Sequence, residues 1–464
     1  MDNNLKRLYQ YIDDHKDDII QELTDICSIK SVSDATSDIK PFGQGCIDAI
    51  ECMLEKGKKH GFETHNYENY VGKVAFNRHV KESIGVWAHL DVVPEGEDWM
   101  SDPYQPVIRD GFLFGRGVND NKSGAIGTLY ILKALKECNI PTKHNIELYC
   151  GTSEETGMAD MDYFVSHYPC PKFSFVPDMG FPGSCGEFGR VLYHLESKEK
   201  CTDVLDIHAG EAYNIIPSYA YAFLKDKEYN FNDLPETIKV TKEETIKIEA
   251  FGTNGHVAAP EGKINAIYEL TKFLCTLEGL NEKDKEIFDF FTKVNEDPTG
   301  HFLNIDKTDE IGQTVSCGSM LLYNDGYVSL GNDCRHCVTD KNERLVNNII
   351  EKAEACNFKA IIKDTSQPYY LDKNSLPIQT ITKVFNEYTN SEREVFVSKG
   401  GTYAGQLPNA VATGIVYGGY ENLPTYLKPG HGSVHQPDEC LPIDGFIEGI
   451  KLFATMLLAV DEVI

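Results

Sequence analysis

The chain has 464 residues, of which 41% are hydrophobic and 25% charged, an ordinary globular profile long enough for two or three cores. Its 44 Lys and Arg against 72 Asp and Glu give a formal charge of −28, which repels nucleic acid and anionic membrane surfaces and excludes both as expected partners. The stretch from Met1 to Tyr11 is polar, and no uninterrupted apolar run is long enough to span a bilayer, so an unexported, cytoplasmic protein is expected. Fourteen cysteines scattered along a chain without an export signal fit reduced, mostly buried thiols. Cys334-x-x-Cys337 has ligand-like spacing but no companion pair, and reads as packing.

In chain order, Leu5, Leu8, Tyr9, Ile12, Ile19, Ile20, Leu23 and Ile26 recur at helical spacing and predict one or two amphipathic helices. Short apolar or alternating runs follow at Ile84–Trp87, Ile146–Tyr149 and Phe173–Val176, with a helical pattern from Gly124 to Leu135 between the first two. This βαβ rhythm places polar clusters at strand exits, where open α/β sheets hold their chemistry. The middle of the chain differs. A hydrophilic segment from Tyr229 to Glu244, the alternating Thr245–Ala250, and helical patterns near Asn265–Leu277 and Arg344–Ala355 predict a second, α+β domain. A further helical pattern over Ile378–Tyr388 leads back towards a C-terminal part of the first domain, so the second domain is an insertion.

Five fragments carry chemistry: His89-Leu90-Asp91, Asp120 behind Gly115-Arg116-Gly117, Glu154-Glu155, Pro177-Asp178, and His435-Gln436-Pro437-Asp438-Glu439. Taken singly, a His-x-Asp at a strand end is a common structural pair and a Glu-Glu a common solvated turn. Together, His89, Asp120, Glu155, Asp178 and His435 supply a histidine and a carboxylate for each of two divalent metals plus one carboxylate to bridge them. Asp91 stands at the offset needed to orient His89. Of the two adjacent glutamates, Glu155 can bind metal while Glu154 stays free to move protons as general base.

With Trp99, Asp102-Pro103 and Asp110-Gly111 added, these motifs resemble the dinuclear metallopeptidases that include dipeptidase V, carnosinase, aminoacylase and succinyl-diaminopimelate desuccinylase, and among them most the dipeptidase V branch. Gly210–Pro217, Gly255-His256, Arg335, Gly400–Ala404 and His435–Pro437 extend the resemblance over nearly the whole chain. It implies a catalytic domain, residues 1–186 and 386–464, with a mixed, mostly parallel sheet sandwiched by helices, and an inserted α+β lid domain over 187–385. It implies that His89 and Asp178 hold one metal, Glu155 and His435 the other, with Asp120 and a water bridging, and that the Asp120–Asn121 peptide is cis. Glu154 would take the proton from the attacking water, with Asp91 assisting. His256 would donate to the oxyanion, and Asn214, Arg335, Gly400, Gly401 and Thr402 would grip the substrate.

Aspartate at position 178 favours the dipeptidase branch, with an N-acyl-amino-acid deacylase as the alternative on the same scaffold and a non-catalytic metal-bearing binding protein as the third possibility. The expected cofactors are two divalent ions, zinc foremost, with manganese or cobalt accepted by the same ligands. The expected partner is a small peptide substrate, with a monomer favoured over a homodimer. The chain departs from the family pattern at Asn121, where relatives carry a second aspartate, at Gly405, where they carry arginine, and in a long Tyr420–Gly432 segment that offers His431 as a competitor to His435.

Overall fold

A computed structural model describes residues 3–76, 79–419, 421 and 423–464. The chain divides into two compact units, residues 1–186 with 370–464, and residues 187–369. In the first unit one mixed sheet runs in the order Glu63–Tyr67, Val71–Phe76, Asn145–Gly151, Ser83–His89, Phe173–Val176, Ala410–Ala412, Ser184–Glu187 and Tyr369–Tyr370, with Phe396–Ser398 also paired to Ser184–Glu187. Its four central strands, from Asn145–Gly151 to Ala410–Ala412, are parallel, and antiparallel strands flank them.

The centre of this sheet is buried on both faces. Along Ser83–His89, Ile84, Val86 and Ala88 enter one apolar cluster while Trp87 enters another with Tyr149, Phe164 and Tyr403. Alternating residues of an extended strand point to opposite faces, so a strand with apolar residues at every position needs cover on both sides. The helix Lys122–Glu137 supplies cover on the first face. It is buried from Lys122 through Leu135, and it packs against the helices Asn3–Asp14, Lys16–Cys27 and Ile443–Asp461. The helix Ala159–His167 contributes Met161 and Phe164 to the second face.

The strands expected at Ile84, Ile146 and Phe173, and the helices expected at the N-terminus and after Asp120, are all present. The helices Gln44–Lys59 and Ile443–Asp461 are not among the elements expected from the sequence. The first unit resumes at Tyr370 rather than at 386. The physical reason is the helix Leu376–Thr389, whose Ile378, Ile381 and Phe385 are buried in the first unit's core beside Phe181.

The second unit is built on an antiparallel sheet in the order Ile238–Lys242, Ile246–Phe251, Tyr219–Leu224, Val204–Ala209, Val315–Asn324, Tyr327–His336, Gly189–Ser197 and Phe358–Ser366. The helices Ala266–Thr276, Glu282–Glu296 and Asn342–Ala355 bury Leu270, Phe288, Phe291 and Ile349 with the sheet residues Ile207, Ile248 and Leu330. The α+β character expected for the middle of the chain is thus present. Cys334 is buried in this sheet, and the Cys337 thiol donates to the Lys307 carbonyl over 3.3 Å. Among the described residues no helix is long and apolar enough to cross a membrane.

Candidate metal centre

Three neighbouring parallel strands deliver the centre at their C-terminal ends. His89 is the last residue of Ser83–His89, the Glu154–Thr156 turn follows Asn145–Gly151, and Asp178 follows Phe173–Val176. Parallel strands expose their C-terminal edges together, so side chains far apart in sequence converge there. Asp120 precedes the helix Lys122–Glu137, and the Asp120–Asn121 peptide is cis. His435 arrives from an irregular loop, with its own backbone in the left-handed region at φ 63°.

The distances give each residue a place. Nδ1 of His89 donates to the backbone carbonyl of Asp91 over 2.9 Å, which turns Nε2 towards the centre. Nε2 lies 3.0 Å from Oδ1 of Asp120 and 3.8 Å from Oδ2 of Asp178. Nε2 of His435 lies 3.0 Å from the other Asp120 oxygen, Oδ2, and 2.9 Å from Oε1 of Glu155. The two oxygens of Asp120 are thus divided between two histidines, each of which has a further acidic neighbour. Among the described residues two groups fit around a cation, His89 with Glu154 and Asp178, and His89 with Asp120 and Glu155, each with donor atoms mutually within 4.8 Å.

The electrostatics are those of a cation site. Burial opposes the charged form of His89, yet Asp120, Asp178 and Asp91 outweigh it and hold the imidazole well above the usual histidine range. Hydrogen bonds donated to Asp120 and Glu155 push His435 up to about 10. Burial pushes Glu154 well above the carboxylate range, with Asp178, Glu155 and Asp120 adding to it against the pull of His89. Asp178 is raised by burial and then by Asp120 and Glu155. Burial also works against ionised Asp120, but the two histidines outweigh it and hold its carboxyl well below the usual range. Four carboxylates crowded around two histidines are a donor set a divalent cation satisfies.

The model of the peptidase family M20/M25/M40 matches residues 85–459. The chain belongs to this family. It is 31% identical over 501 residues to the Beta-Ala-Xaa dipeptidase of Lactobacillus delbrueckii subsp. lactis, covering 100% of both chains. Among solved structures it is similar to the di-peptidase Dug1p of Saccharomyces cerevisiae, with a TM-score of 0.60 at 15% identity over 100% of this chain and 99% of that one. It is also similar to human carnosine dipeptidase 1, with a TM-score of 0.58 at 16% identity over 100% of both chains.

In this family member the residues singled out from sequence fall into two sets. His89, Asp91, Asp120, Glu154, Glu155, Asp178 and His435 come together in the first unit. His431 does not join them, because its Nδ1 is 2.7 Å from Oδ2 of Asp438 and its Nε2 faces Asp98. The preceding segment includes Tyr420 and Asn422, which lie outside the described residues. Asn121 uses its amide to donate to Asp178 Oδ1 and to the Pro177 carbonyl, both over 2.7 Å. Asp91 behaves differently from the expectation. Its carbonyl rather than its carboxylate is the nearer partner of His89, and its carboxylate accepts the amides of Glu154 (3.2 Å) and Glu155 (3.1 Å).

Of the expected substrate-gripping residues, Gly400, Gly401 and Thr402 lie in the first unit, where Gly400 donates its amide to Ser398 Oγ and Thr402 Oγ1 caps Ala404. Asn214, His256 and Arg335 lie in the second. There Ile215–Ile216 pairs with Gly255–His256, and Val257 donates to the Asn214 carbonyl, so Asn214 and His256 share one ribbon. Arg335 grips buried Asp333 through Nε (2.8 Å) and Nη2 (2.9 Å), and Arg190 approaches the same carboxylate at 3.0 Å.

Sequence reasoning did not assign a role to Glu439. Its carboxylate is fully buried and accepts Nη1 of Arg116 (2.8 Å) together with the amides of Gly117, Asn119 and Asp120. The signal was present in the His435-Gln436-Pro437-Asp438-Glu439 run, but an acceptor of backbone amides has no chemical signature of its own. The same holds for Asp160, which accepts the amides of Thr152 and Ser153.

Proposed function

We propose that this M20-family peptidase is a cytoplasmic dipeptidase that works with two divalent ions, zinc foremost and manganese or cobalt as substitutes. The observation that carries this is the division of Asp120: one oxygen towards His89 and the other towards His435, each histidine with its own further carboxylate. His89 and Asp178 would hold one ion, Glu155 and His435 the other, and Asp120 would be shared. When bound, the ions supply Lewis acidity that activates water and polarises the scissile carbonyl.

The chain's own residues do the rest. Nδ1 of His89 stays protonated on the Asp91 carbonyl, so Nε2 keeps its lone pair for the centre. Glu154, half-buried and pushed upward as a proton acceptor, takes the proton of the attacking water and hands it to the leaving amine. His256 donates to the developing oxyanion, and Arg335, with Asn214 and the Gly400–Thr402 loop, receives the polar ends of the dipeptide. Relatives named as dipeptidases support dipeptides as the substrate class. The protomer is proposed to act as a monomer.

A panel of dipeptides and N-acyl amino acids, assayed with zinc, manganese and cobalt, tests this. Dipeptide hydrolysis is expected, and Glu154→Gln is expected to lower kcat by about 10² to 10⁴ with metal content retained. Hydrolysis of acyl substrates alone would move the chain to the deacylase branch, and no turnover at full metal loading would make it a binding scaffold.

A further inference from the structure

The backbone that presents Glu154 and Glu155 is gripped along four consecutive amides by two buried carboxylates. Asp91 accepts from Glu154 and Glu155, while Oδ2 of Asp160 accepts from Thr152 (2.6 Å) and Ser153 (2.9 Å). Asp160 opens the helix Ala159–His167, is fully buried, and turns its other oxygen to the amide of Met161. Its Oδ2 also accepts the hydroxyl of Tyr403, which is fully buried and begins the helical turn directly after Gly400-Gly401-Thr402. The strand leaves room for this contact only because residue 151 has no side chain. A Cβ on Gly151 would stand 2.1 Å from the Tyr403 hydroxyl and 2.3 Å from Asp160 Oδ2.

We infer that Asp160 and Tyr403 are positioning residues that act as one unit: together they fix the turn carrying Glu154 and Glu155 and anchor to it the end of the glycine loop. The amides of a surface turn would find their acceptors in water. Here the amides of Thr152 and Ser153 are buried and those of Glu154 and Glu155 half-buried, so the direction in which Glu154 and Glu155 leave the backbone is set by where the two carboxylates sit. Charged acceptors make the strongest of such hydrogen bonds, and the tyrosine hydroxyl locks the rotamer of Asp160. Residues that orient ligands in this way are commonly worth ten- to a hundredfold in metal affinity or activity, by the general rule for groups behind a metal ligand. The inference rests on the assignment of Glu155 as a ligand and Glu154 as the base.

The test compares Tyr403→Phe and Asp160→Asn with Phe453→Leu, a core substitution on the C-terminal helix that loosens the same unit elsewhere. Tyr403→Phe leaves Asp160 its three amide donors, and Asp160→Asn is isosteric, so one variant stands in if the other fails to fold. Binding of Co²⁺ to metal-free protein is read by absorption without substrate, and kcat and KM are read on a dipeptide at saturating metal. Both variants should weaken Co²⁺ binding about tenfold and lower kcat about tenfold with KM little changed, and the double variant should be no worse than the poorer single. Phe453→Leu should lower the thermal midpoint with Co²⁺ affinity intact. Wild-type Co²⁺ affinity in both variants, losses matched by Phe453→Leu at equal midpoint, or fully additive losses in the double would each overturn the inference. A wild type that binds one Co²⁺ per chain would instead overturn the two-ion assignment, and the affinity comparison would still decide the positioning claim.

Discussion

His89 and His435 face the same aspartate from opposite kinds of backbone. His89 ends a central parallel strand, its side chain is 1% exposed, and its Nδ1 is fixed two residues on by the Asp91 carbonyl. His435 sits in a loop in left-handed conformation with a side chain 49% exposed. One half of the centre is therefore placed by regular secondary structure, whose hydrogen bonds and packing are shared with the whole sheet. The other half depends on a few buried anchors. Glu439, four residues after His435, is the chief of them, because it accepts the amide of Asp120 and the guanidinium of Arg116 and so ties the aspartate that both histidines face to the segment that follows His435. A metal centre can thus be half inherited from the sheet and half assembled by buried carboxylates.

The largest effect that would break this comparison concerns metal content. In the proposed assignment His89 holds one ion with Asp178 and faces the aspartate shared with the other, so His89→Ala should lose the first ion, weaken the second and abolish turnover. His435→Ala should retain the ion held by His89 and Asp178. Elemental analysis of the two purified variants checks this, and equal loss in both would mean that the halves are not separable.

The next effect sharpens the dependence of the loop-held half on its anchor. Glu439→Gln leaves Arg116 buried without its counter-charge, which should cost about 3 kcal/mol or more by the general behaviour of broken buried pairs. It is expected to lower the thermal midpoint and to weaken the metal at the His435 side before that at the His89 side. Sequential metal release by a chelator distinguishes the two.

A smaller effect is set by pH. In the metal-free protein His435 is pushed up from the ordinary 6.5 to about 10 by Asp120 and Glu155, so it stays charged through neutral pH. A raised folded-state pKa contributes stability that is fully present below about 6.5 and is lost as pH rises through about 10. The metal-free thermal midpoint should therefore fall over that window. Metal binding needs the neutral imidazole, so it should release protons and tighten as pH rises, which calorimetry in buffers of different ionisation enthalpy would show.

Much of this was legible in the sequence. His89, Glu155 and Asp178 stand in short fragments whose residue types are unusual at a strand exit, Asp120 and His435 in polar fragments outside the strands, and the strands themselves announce their positions by β-branched and aromatic runs bounded by turns. The boundary at residue 370 was not legible, because the amphipathic pattern of Leu376–Thr389 shows that Ile378, Ile381 and Phe385 are buried but not which core buries them. Nor were Asp160 and Glu439, whose partners are mostly backbone amides: any residue can supply an amide, so the sequence carries no second half of the motif. Asp91 was half legible, since its offset from His89 is informative while its hold on the Glu154–Glu155 turn exists only once two strands lie side by side.

The sharing of Asp120 between two ions is tested most directly by electron paramagnetic resonance of the protein titrated with Mn²⁺. Two ions per chain with the multiline signature of a spin-coupled pair, lost in His435→Ala and replaced by the spectrum of a single isolated ion, are the result expected. Two uncoupled ions, or one ion at saturation in the wild type, would contradict it.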